Sequence, residues 1–294
     1  MLWSDAQASF LLSKQVANCS GRTLGIYRDN LGRFPRETGG TRTLDEVSPL
    51  LVQRYLTRLR ERLAPASVHQ HYRCLRTFFA WCVHAGLLTS TPMTGITVRV
   101  PKSLPRVPED DQVRRLLAVC PNTFEGQRSK ALVALLADSG LRISEALRLR
   151  IEDMNFATRT FMVRGGKGGK DSTAFFGAET AQHVRKWLQA RREAVPEDFL
   201  FTNQEGRPLS RYWGTQMLHR LSLRAGLSRK IGPHALRHYA ATSILKQTGD
   251  LELVRQVLRH ESLAMALRYA QLAKPEVSRK FRRASPLDNL RAGR

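Results

Sequence analysis

Between residues 92 and 108 the chain reads PMTGITVRVPKSLPRVP, and this stretch limits the possible folds more than any other. It carries four prolines, a glycine and three basic residues. Each proline fixes its own φ, lacks a donor and pushes the residue before it toward extended backbone. A helix cannot run through such a segment, so the chain is expected to divide here into two domains. The predicted boundaries are a helical domain over 1–91, an extended linker over 92–108 and a second domain over 109–294. A length of 294 residues suits two domains with separate cores.

The first region reads as helices joined by short links. Asp5 to Lys14 is amphipathic, and Ser20 is placed to cap a second helix running through Leu31. Ser48 followed by Pro49 reads as an N-cap and first-turn proline for a helix through Arg62. Ser67 is expected to cap a fourth helix, with Val68, Tyr72, Leu75, Phe79 and Cys82 at helical spacing and Gly86 past its end. Basic residues on the outer faces, Arg73 and Arg76 among them, suit a DNA clamp. A helical bundle with a solvated basic surface has the same pattern.

Beyond Pro108 the helical period resumes. Acidic residues open a helix through Val119, favourably placed in its first turn. A strongly apolar helix over Ser129–Ser139 is expected to stop at Gly140, and a short helix to begin within Leu141–Glu145. The period then becomes strand-like. Thr158–Val163 and Ser172–Phe176 flank the glycine-rich Arg164–Lys170, which reads as a β-hairpin. A P-loop is excluded, because Lys170 is followed by Asp171 rather than Ser or Thr. Helix is expected over Ala178–Glu193 and Tyr212–Ala225, a short strand over Phe199–Thr202, and a basic amphipathic tail helix over 274–283. The fold class is therefore mainly α with a small β-sheet or hairpin in the C-terminal domain.

The formal net charge is +23, from 48 Lys and Arg against 25 Asp and Glu. The basic residues are spread along the chain, which suits a folded protein with a basic face and a nucleic-acid partner. Four scattered cysteines form no Cys-x-x-Cys pair, so no zinc site is expected. The first residues, MLWSDAQASF, lack the pattern of a signal peptide. The longest apolar run, Ala131–Ala137, is too short to span a bilayer. A soluble, cytoplasmic protein with no membrane partner is expected.

Chemistry gathers in PHALRHYAATSILKQTGDLELVRQVLRHESLAMALRYAQL, residues 233–272. His234 and Arg237 are three apart and share a helix face. His260 follows, then Tyr269. A phenol, two imidazoles and a guanidinium brought together suit attack on a phosphodiester, with the phenol as nucleophile and the guanidinium forked onto the non-bridging oxygens. His234 and His238, four apart, have no acidic third ligand in their turn, which argues against a metal pair.

This pattern resembles the second signature box of the tyrosine recombinase (phage integrase) family, similar to Xer-like and mobile-element integrases. GLRISE, residues 140–145, resembles the first box, and Gly166-Lys167-Gly168-Gly169-Lys170 matches its hairpin lysine pattern. The resemblance implies a two-domain DNA clamp, a helical core-binding domain followed by a mixed α+β catalytic domain. It implies a catalytic set of Tyr269, Arg142, Lys167, His234, Arg237 and His260, with Glu145 holding nearby structure. Arg142 and Arg237 would neutralise the phosphate and His260 would add a hydrogen bond to it. His234 would stand near the Tyr269 hydroxyl as base or hydrogen-bond partner, and Lys167 would protonate the leaving 5′-oxygen. Lys170 is the runner-up for that lysine and more naturally a phosphate contact. Arg164, Lys102, Arg106, Arg73 and Arg76 are the further DNA-binding candidates.

The implied activity is strand exchange through a 3′-phosphotyrosine and a Holliday junction, with neither metal nor ATP as cofactor. The implied partners are double-stranded DNA with paired inverted sites and three further copies of the chain, a homotetramer on DNA from a monomer or weak oligomer when free. The role read first is integration or excision of a mobile element, with Xer-like resolution of chromosome or plasmid dimers as the alternative. A type IB topoisomerase shares the phosphotyrosine, and an architectural DNA-binding relative would share the fold alone. Two departures from the family pattern stand out: Arg259 where Gly is usual, and Ala266 where Thr is common.

Overall fold

A computed structural model describes residues 1–101, 106–165, 171–191, 194–259, 267 and 269. The chain divides into two compact units, Met1–Ser103 and Leu104–Arg294.

The first unit is built on α1 (Trp3–Val16), α2 (Gly21–Glu37), α3 (Pro49–Arg62) and α4 (Pro65–His84). Ser20 and Ser48 cap α2 and α3, accepting from the Thr23 and Leu51 amides at 3.2 Å each. α2 continues past Leu31 despite Pro35. The amide that proline lacks would have bonded the Leu31 carbonyl, and the Trp3 indole Nε1 donates to that carbonyl instead, at 3.2 Å. α4 starts at Pro65 rather than with Ser67 as its cap, since proline is already shaped for the first helical position and the Ser67 amide bonds Ala64 O within the first turn.

Aromatic rings fill this unit. Trp3 stacks on Phe34 at 4.9 Å, and Phe78 meets Trp3 and Phe10 at 5.1 and 5.4 Å. The hydroxyl of Tyr55 and Nδ1 of His71 lie 2.9 Å apart inside this core. Met93 and Ile96 are buried in the same cluster, so packed structure reaches into the proline-bearing stretch rather than stopping at residue 91.

In the second unit α5 (Asp110–Ala118) opens with a capping box between Glu109 and Gln112. The helix α6 (Phe124–Ser139) is buried along most of its length and is the element around which the unit packs. α7 (Ile143–Ala146) follows. β1 (Met154–Asn155), β2 (Thr160–Val163) and β3 (Ser172–Phe175) form an antiparallel sheet in the order β1-β2-β3. Thr160 pairs with Phe175 and Val163 with Ser172. Phe161 and Val163 point into the core while Met162 is exposed, the alternation a one-sided sheet requires.

α8 (Ala178–Ala190), α9 (Arg211–Arg224), α10 (Pro233–Thr248) and α11 (Leu251–Val257) complete the described elements. α8 and α10 both pack on α6. The Asp138 carboxylate at the end of α6 accepts from the Gly177 amide and the Thr180 hydroxyl, at 2.5 and 2.8 Å, capping α8. Phe199–Thr202 forms no strand. Phe199 and Thr202 make only isolated bridges, to Arg150 and Pro208, because no neighbouring segment runs beside them long enough to form a ladder. The expected tail helix over 274–283 lies outside the described residues.

Candidate active site

Gly140 is the corner on which the site is built. It ends α6 at φ +62°, the left-handed conformation open to glycine. A Cβ there would stand 2.5 Å from the Leu258 side chain and 3.3 Å from Ala240. The end of α6, the middle of α10 and the residue after α11 therefore meet where only a hydrogen atom fits.

Arg142 is the N-cap residue of α7. Its amide donates to Glu145 Oε2 at 3.0 Å and its Nη1 to Oε1 at 2.6 Å, so backbone and side chain are held by one carboxylate. The Arg142 side chain keeps 34% exposure, and the Glu145 side chain 13%. Glu145 Oε2 also accepts from Nη2 of Arg259 at 2.6 Å. Burial pushes the Glu145 carboxyl up, but the Arg142 hydrogen bonds and the Arg259 charge outweigh it and hold it below its ordinary value.

Arg237, one turn into α10, is buried. Nη1 donates to the Gly140 carbonyl and Nη2 to the Leu258 carbonyl, the latter at 2.7 Å. Burial, then the nearby Arg142 charge, lowers it to about 10, so it stays cationic at neutral pH. Its five-donor fork has further N–H groups beyond these two bonds. Arg142 and Arg259 thus share one carboxylate, and the Arg237 charge lies near all three, an excess of positive charge suited to a phosphate.

Tyr269 is buried against Ala241, Leu245, Val254 and Leu258. Its hydroxyl lies 3.1 Å from Nδ1 of His238. The sequence placed His234 at that hydroxyl; the structure places His238 there. Both imidazoles share a face of α10, and His234 lies one turn closer to its start, where it is exposed. His238 at the Tyr269 hydroxyl is the contact that sequence reasoning missed, and its one signal was the i, i+4 spacing from His234.

Lys167, Lys170, Lys102 and His260 lie outside the described residues. Arg106, Arg73 and Arg76 are exposed, the last two three apart on α4. Arg164 is engaged within the protein, with Nε on Asp153 at 2.7 Å and Nη2 on Glu152 at 2.8 Å. Among the described residues no three His, Cys, Asp or Glu side chains come together as metal ligands, and no helix is long and apolar enough to cross a membrane.

Residues 106–276 match the family described as "Phage integrase family". Among curated relatives, tyrosine recombinase XerD of Oceanobacillus iheyensis is 29% identical over 277 residues, covering 91% of this chain and 93% of that protein. Tyrosine recombinase XerC of the same organism is 30% identical over 285 residues, covering 92% of each. Two solved structures share the fold. XerH site-specific recombinase bound to palindromic difH substrate is 23% identical with a TM-score of 0.73, covering 94% of this chain and 82% of that one. The Tn1549 transposon integrase in complex with transposon right end DNA is 20% identical with a TM-score of 0.75, covering 95% and 99%.

Proposed function

The chain belongs to the phage integrase family and is a tyrosine recombinase, a DNA strand transferase, and from that premise we propose a specific course for its reaction. Tyr269 Oη attacks a backbone phosphorus of double-stranded DNA and forms a 3′-phosphotyrosine, while the 5′-oxygen leaves with a proton from Lys167. Attack by a different 5′-hydroxyl reverses the step and releases the tyrosine, so the bond energy is conserved without ATP or metal. The observation that carries this reading is that Arg142, held by Glu145, and Arg237, held by the Gly140 and Leu258 carbonyls, are fixed at one corner of the fold.

In this reading Arg142 and Arg237 neutralise the non-bridging oxygens as charge builds in the transition state. His238 holds the phenol before DNA arrives. His234, exposed one turn earlier, takes the phenolic proton once the substrate is in place, and His260 adds a hydrogen bond to the phosphate. The first unit presents Arg73 and Arg76 to the DNA backbone. Recombination proceeds on paired inverted sites by four copies of the chain, through a Holliday junction.

Integration or excision of a mobile element is the role we favour, on the resemblance of the sequence after His260, ESLAMALRYAQLAKPEV, to mobile-element integrases. The likeness to XerC and XerD over nine-tenths of the chain supports a second reading, resolution of chromosome or plasmid dimers.

The test is a denaturing gel of the protein with DNA flanking its own gene, in EDTA, beside Tyr269→Phe. A covalent band from the wild type alone is expected, and sequencing the trapped ends locates the site. Ends at the border of an inserted element favour integration; ends at one fixed chromosomal site favour dimer resolution. A band of equal yield from Tyr269→Phe would remove Tyr269 from its role, and a wild-type band that forms only when EDTA is left out would overturn the metal-free course.

A further inference from the structure

Arg259 holds a conformation that L side chains seldom take. It follows α11 at φ +53°, one of the non-glycine residues in the left-handed region among those described. A solvated side chain at such a corner needs no further account. This one is turned inward instead, 12% exposed, with Nη2 donating to Glu145 Oε2 at 2.6 Å across 114 positions of sequence.

The same carboxylate holds Arg142. Oε1 accepts from Arg142 Nη1, and Oε2 accepts from both the Arg142 amide and Arg259. Any displacement of Arg259 therefore moves the group that orients Arg142. Arg237 makes a second link between the same two corners, through the carbonyls of Gly140 and Leu258. Arg237 anchors backbone to backbone, whereas Arg259 adds an ionic tie from the chain just before His260 to the side chain of Arg142.

We propose that Arg259 is a positioning residue, a latch that ties the corner after α11 to Arg142 through the shared Glu145 carboxylate. The latch rests on the recombinase reading for its consequence in catalysis, but not for its existence in the free protein. Burial lowers the Arg259 guanidinium and the Glu145 charge opposes that, as for an ion held by its partner away from water. Glycine at this position would relieve the backbone and lose the tie.

The experiment uses the full chain with Arg259→Gly, Arg259→Lys, Glu145→Gln and the Arg259→Gly/Glu145→Gln double variant. Single-turnover formation of the covalent DNA adduct is measured at saturating protein, with DNA affinity and thermal stability alongside. Arg259→Gly is expected to slow adduct formation by about 10- to 100-fold, the effect of small misplacement at a reacting centre. Its DNA affinity and melting temperature are expected to hold, since glycine suits the left-handed corner. Arg259→Lys keeps a cation for Glu145 and is expected to recover most of the rate. The double variant is expected to be no slower than Glu145→Gln alone, because both changes break one tie.

Wild-type rates in Arg259→Gly would overturn the latch. So would a further slowing of Glu145→Gln by Arg259→Gly, which would mean that Arg259 acts on the DNA directly. Amide hydrogen exchange on the free proteins reads the tie without DNA. Faster exchange over residues 254–259 in both single variants supports the latch, and unchanged exchange overturns it. Should the wild type form no adduct on any DNA, the recombinase reading fails, and exchange still decides the latch.

Discussion

The two units bury their polar groups by opposite means. The first closes around Trp3, Phe10, Phe34, Phe78 and Phe79, and the polar pair within it, Tyr55 and His71, satisfies itself while neutral. The second carries an apolar core around α6 but sets Arg142 and Arg259 on the single carboxylate of Glu145 at one end of it, with Arg237 buried beside them on the Gly140 and Leu258 carbonyls. Desolvated charge is costly and adds little net stability even when paired. The first unit therefore uses its interior to hold its shape, and the second gives part of its interior to a cluster of charge, which the proposed reaction would use on a phosphate. Removing a buried ring should harm the fold, and removing a charged group should harm the reaction.

The largest effect expected is Phe78→Ala. This ring is fully buried among Trp3, Phe10 and Phe79, and its loss should cost about 3–5 kcal/mol of stability by cavity formation. Chemical denaturation followed by tryptophan fluorescence measures it, and a loss below about 1 kcal/mol would mean that the first core repacks and the contrast is false. Arg142→Ala should do the reverse. Its side chain is one-third exposed and Glu145 keeps Arg259, so the melting temperature should hold while adduct formation falls about 100- to 1,000-fold. A large drop in melting temperature with that variant would show that the charged cluster is structural after all.

The parts of the fold legible in the sequence are those set within a few residues. Ser48-Pro49 announced α3, Gly140 announced the end of α6, and the glycine-rich segment between β-prone runs announced the β2–β3 pair. Glu145 was legible only through the resemblance, as a residue holding nearby structure; that it holds Arg142 itself follows from their places as N-cap and third residue of α7. What escaped depends on contacts made across long separations. Two imidazoles on one face of α10 are equivalent in sequence, and only the docking of Tyr269 puts His238 at the hydroxyl. Phe199–Thr202 has strand-forming residues but no partner strand, so propensity pointed one way and topology another. Arg259 drew notice only as a departure; its tie to Glu145 is invisible until α6 and α11 meet at Gly140.

The smallest effect separates the two units by pH. His71 is lowered from 6.5 by burial, with the Arg33 charge adding to it, so it folds neutral and resists the proton that the unfolded chain takes up. Its contribution to stability is present above pH 6.5 and drains away as the pH falls from there through the folded value. Glu145, held below the ordinary 4.5, contributes fully above that value and loses its contribution only as the pH falls through its lower folded value. The second unit also has a half-buried histidine, His183, lowered by burial and by Lys130, so wild-type unfolding curves would mix the two regions. Variants keep them apart. His71→Gln should flatten the loss of stability in the mild-acid range just below pH 6.5 and leave the range below 4.5 unchanged. Glu145→Gln should flatten only the lower range. Denaturation midpoints taken from pH 7 to pH 3 measure both. If Glu145→Gln altered the mild-acid range, the carboxylate would be bearing its proton well above 4.5, and the guanidiniums of Arg142 and Arg259 could not be sharing it as an anion.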